Sequence, residues 1–177
     1  MDVRRIVTGQ AASGAAVVVS DERVAPLTVG LMPGAEFHAL WGADAAFSLP
    51  TDGSEPEHKT WFPTADGFRF GLFTLGPASA QWPPDFDLAA ALVELDERLP
   101  GMLDVLEPDE PGMHTTDTVD YCVVLSGQAQ LELDDGQRVD VHAGDCVVQN
   151  GTRHRWHNLT DEPCVMAVAL IGRARRA

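Results

Sequence analysis

The sequence predicts an all-β protein, a small antiparallel barrel or sandwich of short strands with a β-rich N-terminal extension and one linking helix. Three observations carry this. Gly and Pro together supply 28 of the 177 residues and cut the chain into short pieces. Most of those pieces are strand-length runs rich in Val, Leu, Phe and Trp. A single segment repeats its apolar residues with helical period. With 45% hydrophobic residues, the chain is apolar enough for one packed domain and far from a disordered composition.

Taken in order, Ala15 to Ser20 and Val24 to Leu31 read as strands, followed by Glu36 to Trp41 and by the aromatic run Phe68 to Leu75. Between Leu49 and Pro63 lies a polar stretch that holds Lys59, the single lysine, and reads as a surface loop. The helix is expected over Asp87 to Arg98. There Leu88, Ala91, Leu92, Leu95 and Leu99 share one face, Asp85 or Asp87 caps the start, and Pro100-Gly101 ends it. From Gly112 onward strands dominate: Tyr121 to Leu125, Ala129 to Leu133, Gln137 to Val141, Cys146 to Gln149, His154 to Asn158 and Cys164 to Ile171. Asp134-Asp135-Gly136 is a hairpin turn, because Asp-Gly tolerates the positive φ that tight hairpins require. The expected organisation is an N-terminal β extension over 1–84, the helix over 85–101, a barrel core over 102–171 and a basic tail over 172–177.

Composition removes several classes of function. A formal charge of −15 repels phosphate backbones and anionic headgroups, so neither nucleic acid nor a membrane surface is an expected partner. No apolar run approaches the ~18 residues of a membrane span, and the charged start Met1 to Arg5 precedes no secretory h-region. Cys122, Cys146 and Cys164 cannot all pair within one chain and form no CxxC, so reduced thiols and a cytoplasmic location are expected.

Chemistry concentrates in two segments. In one, His114 and Thr116 share a strand face and Asp120 follows; in the other, His154, Trp156 and Asn158 share a face. If those faces meet inside a barrel, His114, Asp120 and His154 converge. Two imidazoles and a carboxylate suit a divalent metal such as iron, manganese, nickel or zinc, whose open positions polarise a substrate oxygen. His157 is out of phase with His154 and is expected to face outward, as is Tyr121 relative to Asp120. His38, Trp41, Trp61, Phe70 and Phe73 read as core aromatics in preference to a pocket mouth, and Glu107 to Glu110 as a solvated loop.

These two segments resemble the paired motifs of the cupin superfamily, a double-stranded β-helix or jelly-roll barrel. The first motif runs Gly, five residues, His-x-His, three or four residues, Glu, six residues, Gly. His114 stands at its first His, Asp120 at its Glu and Gly127 at its closing Gly, while Thr116 occupies the second His position. The second motif is matched by Gly144, Gly151, His154 and Asn158, with Gln149 where the family has Pro. The resemblance covers about residues 111–171 and implies a small-molecule enzyme with His114, Asp120 and His154 as catalytic residues and as the ligands of any metal. Thr116, Gln149, Trp156 and Asn158 are then the expected substrate contacts. Loss of one imidazole leaves the metal set depleted. The expected activity is therefore metal-assisted or metal-free acid/base chemistry, as in an isomerase, dehydratase, decarboxylase or cyclase. A metal-dependent dioxygenase and a non-catalytic sensor or carrier are the alternatives. The resemblance further implies a homodimer.

Overall fold

The computed structural model describes residues 1–176; Ala177, the last residue of the expected basic tail, lies outside them. Ten strands and one helix follow in the order β1 (Val3–Gln10), β2 (Ala16–Val24), β3 (Glu36–Ala43), β4 (Phe68–Leu75), α1 (Leu88–Arg98), β5 (Thr118–Ser126), β6 (Gln128–Glu132), β7 (Arg138–His142), β8 (Cys146–Asn150), β9 (Arg155–His157) and β10 (Cys164–Gly172). They form a hairpin β1-β2, a five-stranded sheet β3-β4-β10-β5-β8 and a three-stranded sheet β7-β6-β9. All pairings are antiparallel, and the two larger sheets do not close into a continuous ring. The architecture is mostly β, built of antiparallel sheets.

Strand alternation fixes which side chains look inward. Along β5, Thr118, Asp120, Cys122 and Val124 are buried while Tyr121, Val123 and Leu125 are exposed. Antiparallel partners project to the same side of a sheet, so register carries this face across the strands. Arg69 on β4 lies opposite Leu170 on β10, Leu170 opposite Asp120 on β5, and Asp120 opposite Gln149 on β8. One turn of the pleat further, Gly71, Val168, Cys122 and Val147 form the next row. Beyond it Val124, Cys164 and Met166 pack with Ala129 and Val141 of the smaller sheet and with Trp156, giving the core between the sheets.

A second core lies where α1 meets the sheet. Leu95, Leu99 and Met102 bury against Phe37, Val29 and Ala35, with Trp61 and Phe73 packed on the cluster. Asp87 caps the helix, its carboxylate accepting from the Ala90 amide at 3.1 Å. Only part of the expected helix face is used: Leu88 is exposed and Ala91 and Leu95 are buried, because the first turn runs past the edge of the core.

Other differences from the sequence expectations have local causes. Val24–Leu31 is not a strand. Val24 closes β2, and Leu27 makes an isolated bridge to Phe37, since Pro26, Gly30 and Pro33 prevent a continuous ladder. Strand β1, which alternates Arg, Ile, Val and Thr, is an addition, held to β2 by pairs such as Arg4 with Asp21 at 2.6 Å. The Asp134–Gly136 turn is a single 3-10 turn in which Asp135 and Gly136 take φ of 56° and 70°, the left-handed conformation their sequence favours. Among the described residues no helix is long and apolar enough to cross a membrane.

Candidate functional site

The two motif histidines meet. His114 and His154 form an isolated antiparallel bridge, each amide donating to the other's carbonyl at 2.9 and 3.0 Å, and their rings lie 4.2 Å apart between centroids. Each ring is oriented from behind by the chain just before it. His114 Nδ1 lies 3.0 Å from the Gly112 carbonyl and His154 Nδ1 lies 2.9 Å from the Thr152 carbonyl. A carbonyl only accepts, so both Nδ1 atoms carry the proton, and in the neutral rings both Nε2 atoms are left with a free lone pair. The glycines matter here: Gly112 and Gly151, at φ of 81° and 61°, supply the left-handed turns that lead into each histidine.

Burial keeps the rings neutral. His154 is 3% exposed and its pKa is pushed down to about 4, first by desolvation and then by the neighbouring His114. Half-buried His114 is also lowered by desolvation, partly offset by its bond to Gly112 and by Glu107. Trp156 stands edge-on to His154 at 6.3 Å and packs into the intersheet core.

Asp120 does not join the imidazoles. It is 5% exposed on the inner face of β5, beside Gln149 of β8. Desolvation raises its pKa to about 6 against a smaller lowering by the Thr118 hydroxyl. Its charge also helps raise the Cys122 thiol to about 12, although desolvation is the larger cause there. Between Asp120 and His114 the chain carries buried Thr116 and Thr118, whose hydroxyls bond each other at 2.7 Å. The expected three-way convergence is therefore a pair plus a separate carboxyl. Among the described residues no three His, Cys, Asp or Glu side chains stand together as a metal-holding group. Two nitrogen donors without a third such ligand are an incomplete set for a divalent ion, and the Thr116 hydroxyl is already committed. The donor set as folded does not fit a metal, and the chemistry below is derived without one.

The other expected contacts divide. Gln149, 5% exposed, accepts from the Thr152 hydroxyl at 3.3 Å through Oε1, while its Nε2 has no partner among the described residues. Asn158 is spent on its own turn: Nδ2 donates to the Glu162 carbonyl at 2.7 Å and Oδ1 accepts from the Thr160 amide and hydroxyl. His157 points away from the site and meets Glu132 at 2.6 Å on the outer side of the small sheet. There Arg155 and Arg138 also bind Glu132, and its carboxylate is held down at about 2, first by the Arg155 bond and next by the His157 bond. The Glu107–Glu110 segment is not merely solvated, because Glu107 and Glu110 both bind Arg153.

Arg69 was not legible from the sequence. It sits two strands from Asp120 on the inner row, at 7% exposure. Its guanidinium binds Asp44 and the carbonyls of Ala43 and Thr60, tying down the segment that carries Trp61. A cavity of about 40 Å³ lies beneath Trp61 between Arg69, Gly71, Phe73, Val168 and Leu170. A larger one of about 620 Å³ lies elsewhere, between β1, Trp41, Phe70 and the 47–56 segment. Size does not make it the reactive site. Its two arginines are already paired, Arg4 with Asp21 and Arg5 with Glu22 and Glu55, with Arg5 also over the Trp41 ring at 5.6 Å, and neither the histidines nor Asp120 line it.

The cupin domain family model matches residues 102–170, which hold both histidines, Asp120 and Gln149. The oryzines biosynthesis cluster protein J of Aspergillus oryzae is 35% identical over 113 residues, covering 58% of this chain and 63% of that protein. The cupin-domain-containing oxidoreductase srdD of Neurospora crassa is 30% identical over 83 residues, covering 47% of this chain and 39% of that protein. The chain thus spans less than two thirds of the length of these relatives. The solved cupin domain of Schizosaccharomyces pombe Cnp3 aligns over 97% of this chain and 89% of its own, at 10% identity and a TM-score of 0.48. The cupin match therefore belongs to residues 102–170, the segment that carries both motif histidines.

Proposed function

We propose that this protein is a small-molecule enzyme whose barrel interior carries out proton-transfer chemistry on an oxygenated metabolite, of the isomerase, dehydratase, decarboxylase or cyclase type. One observation carries the reading: two facing imidazoles, each with Nδ1–H anchored to a backbone carbonyl, offer two bare Nε2 atoms side by side. A base must hold its lone pair free at the working pH and must be fixed in place. Desolvation secures the first, because both rings are neutral near pH 7, and the Nδ1 bonds secure the second. His154 accepts a proton from bound substrate. His114, half-buried at the rim, exchanges it with solvent, and Asp120, titrating near 6, supplies the complementary acid or carboxylate.

The test is solvent-deuterium incorporation, read by mass spectrometry over a panel of neutral carbonyl and hydroxyl metabolites. Exchange by the wild type that is lost in both His154→Ala and His114→Ala supports the reading; exchange that survives both substitutions refutes it. Relatives that bear the name oxidoreductase favour a second reading, metal-dependent redox chemistry. Elemental analysis separates the two. Near-stoichiometric iron, manganese, nickel or zinc that disappears in His154→Ala moves the assignment to that reading. A sensor or carrier would lose only affinity in the same variants. A cytoplasmic homodimer completes the proposal, the partner copy covering the outer face of the five-stranded sheet. There Phe70, Tyr121, Val123, Leu125 and Val148 are exposed with no charged residue between them.

A further inference from the structure

Asp120 and Gln149 present a donor and an acceptor that the fold does not use. They face each other across β5 and β8, both are 5% exposed, and Asp120 Oδ1 and Gln149 Nε2 are buried without a hydrogen-bond partner among the described residues. Leaving two such atoms unsatisfied is costly. Side chains opposite each other on antiparallel strands have Cβ atoms roughly 5 Å apart, so both atoms are available to one small group. Turning the Gln149 amide around would only exchange the unpaired atom, because the Thr152 hydroxyl accepts as well as donates and Oε1 would then be left without a partner. Leu170, the β10 neighbour of Asp120, lines a cavity of about 40 Å³ on the β4–β10 side of the sheet. That is room for a few waters or the end group of a larger ligand.

We propose that Asp120 and Gln149 form a two-point recognition site for the open edge of a neutral carboxamide or lactam. The ligand N–H donates to Asp120 Oδ1 and the ligand carbonyl accepts from Gln149 Nε2. An anionic head group is disfavoured, because it would enter beside a buried carboxylate in a chain of net charge −15. A ketone satisfies only one of the two atoms. The assignment rests on the reading that the barrel interior takes a small molecule, and it adds the substrate class to that reading.

The experiment is a binding titration with simple probes, followed through the NMR signals of the Leu170 and Val168 methyls and the Gln149 side-chain NH₂. Acetamide is expected to shift these signals saturably. N,N-dimethylacetamide, which has no N–H, and acetone are expected to bind at least 5-fold more weakly, as the loss of one net hydrogen bond implies. Asp120→Leu and Gln149→Leu should each weaken acetamide by a similar factor. The probe series on the wild type decides the matter alone if either variant fails to fold. Equal binding of the three probes, no saturable shift, or a direct Gln149–Asp120 hydrogen bond in solution would each overturn the assignment. Because this titration needs no turnover, acetamide binding without deuterium exchange leaves the recognition site standing while the catalytic reading falls. Exchange without acetamide binding does the reverse.

Discussion

Replacing Asp120 by Asn should change how the stability of this protein responds to acid, and in a way the two motifs predict jointly. In the folded chain the Asp120 carboxyl titrates near 6, above its ordinary 3.8. The folded state therefore holds this proton more tightly than the unfolded state, so acidification through about 6 stabilises the fold and rising pH removes that gain. His154 acts in the opposite sense. Its folded value of about 4 lies below the ordinary 6.5, so the unfolded state takes the proton first and acidification below about 6.5 destabilises the fold. Tenfold changes in proton affinity are worth about 1.4 kcal/mol each, which makes the two contributions about 3 kcal/mol apiece and nearly equal in size. Between pH 7 and 4.5 these two contributions largely cancel each other, which leaves the wild type's slope to other shifted groups such as His114 and Glu132. Asp120→Asn removes one side of the balance, so the variant should lose about 2 kcal/mol more than the wild type over that interval. That is a relative fall in melting temperature of ~4–8 °C for a chain of this size. Urea denaturation at pH 7.0, 6.0, 5.2 and 4.5 measures it directly, and His154→Gln should tilt the other way, gaining stability on acidification. Parallel curves for wild type and Asp120→Asn would show that Asp120 is not desolvated in the folded protein, and the placement of its side chain on the inner face would have to be abandoned.

Three further outcomes follow from the packing. Leu95→Ala, at a position with no exposure in the helix core, should cost about 2–5 kcal/mol in urea denaturation; a loss below 1 kcal/mol would mean that α1 does not pack on Phe37. Asp87→Ala should cost about 1 kcal/mol by removing the cap on Ala90, with Asp87→Asn close to neutral in the same assay. Val123→Glu should convert a dimer into a monomer by light scattering while leaving the circular dichroism spectrum intact. A wild type that is already monomeric at micromolar concentration would remove the dimer from the account.

Much of the fold was visible in the pattern of the chain. The period-two alternation of Thr118, Asp120, Cys122 and Val124, the Asp-Gly turn and the capped amphipathic segment each act over a few residues, so local sequence specifies them. Three features were not. The Val24–Leu31 run has strand composition, but its prolines and glycine deny it a ladder, and only the partner Phe37 shows how little pairing remains. Asp120 has the motif spacing of a residue that would join His114 and His154, yet its position in β5 is set by register with Leu170 and Gln149, which are 50 and 29 residues away along the chain. Arg69 escaped notice for the same reason: an arginine among aromatics carries no signal until β10 sets it on the row that contains Asp120. Motif spacing named two histidines that the fold brings side by side, because both are placed by short turns immediately before them.

The segment tied by Arg69 also holds the chain's single lysine. Lys59 is exposed, one residue before the carbonyl that Arg69 grips and two before Trp61, which roofs the inner cavity. A single lysine gives one side-chain address for an amine-reactive dye. A fluorophore placed there shares its surroundings with an indole two residues away, whose quenching falls off with separation. Emission from that single label would register each excursion of the roof in real time, without a cysteine having to be introduced or removed.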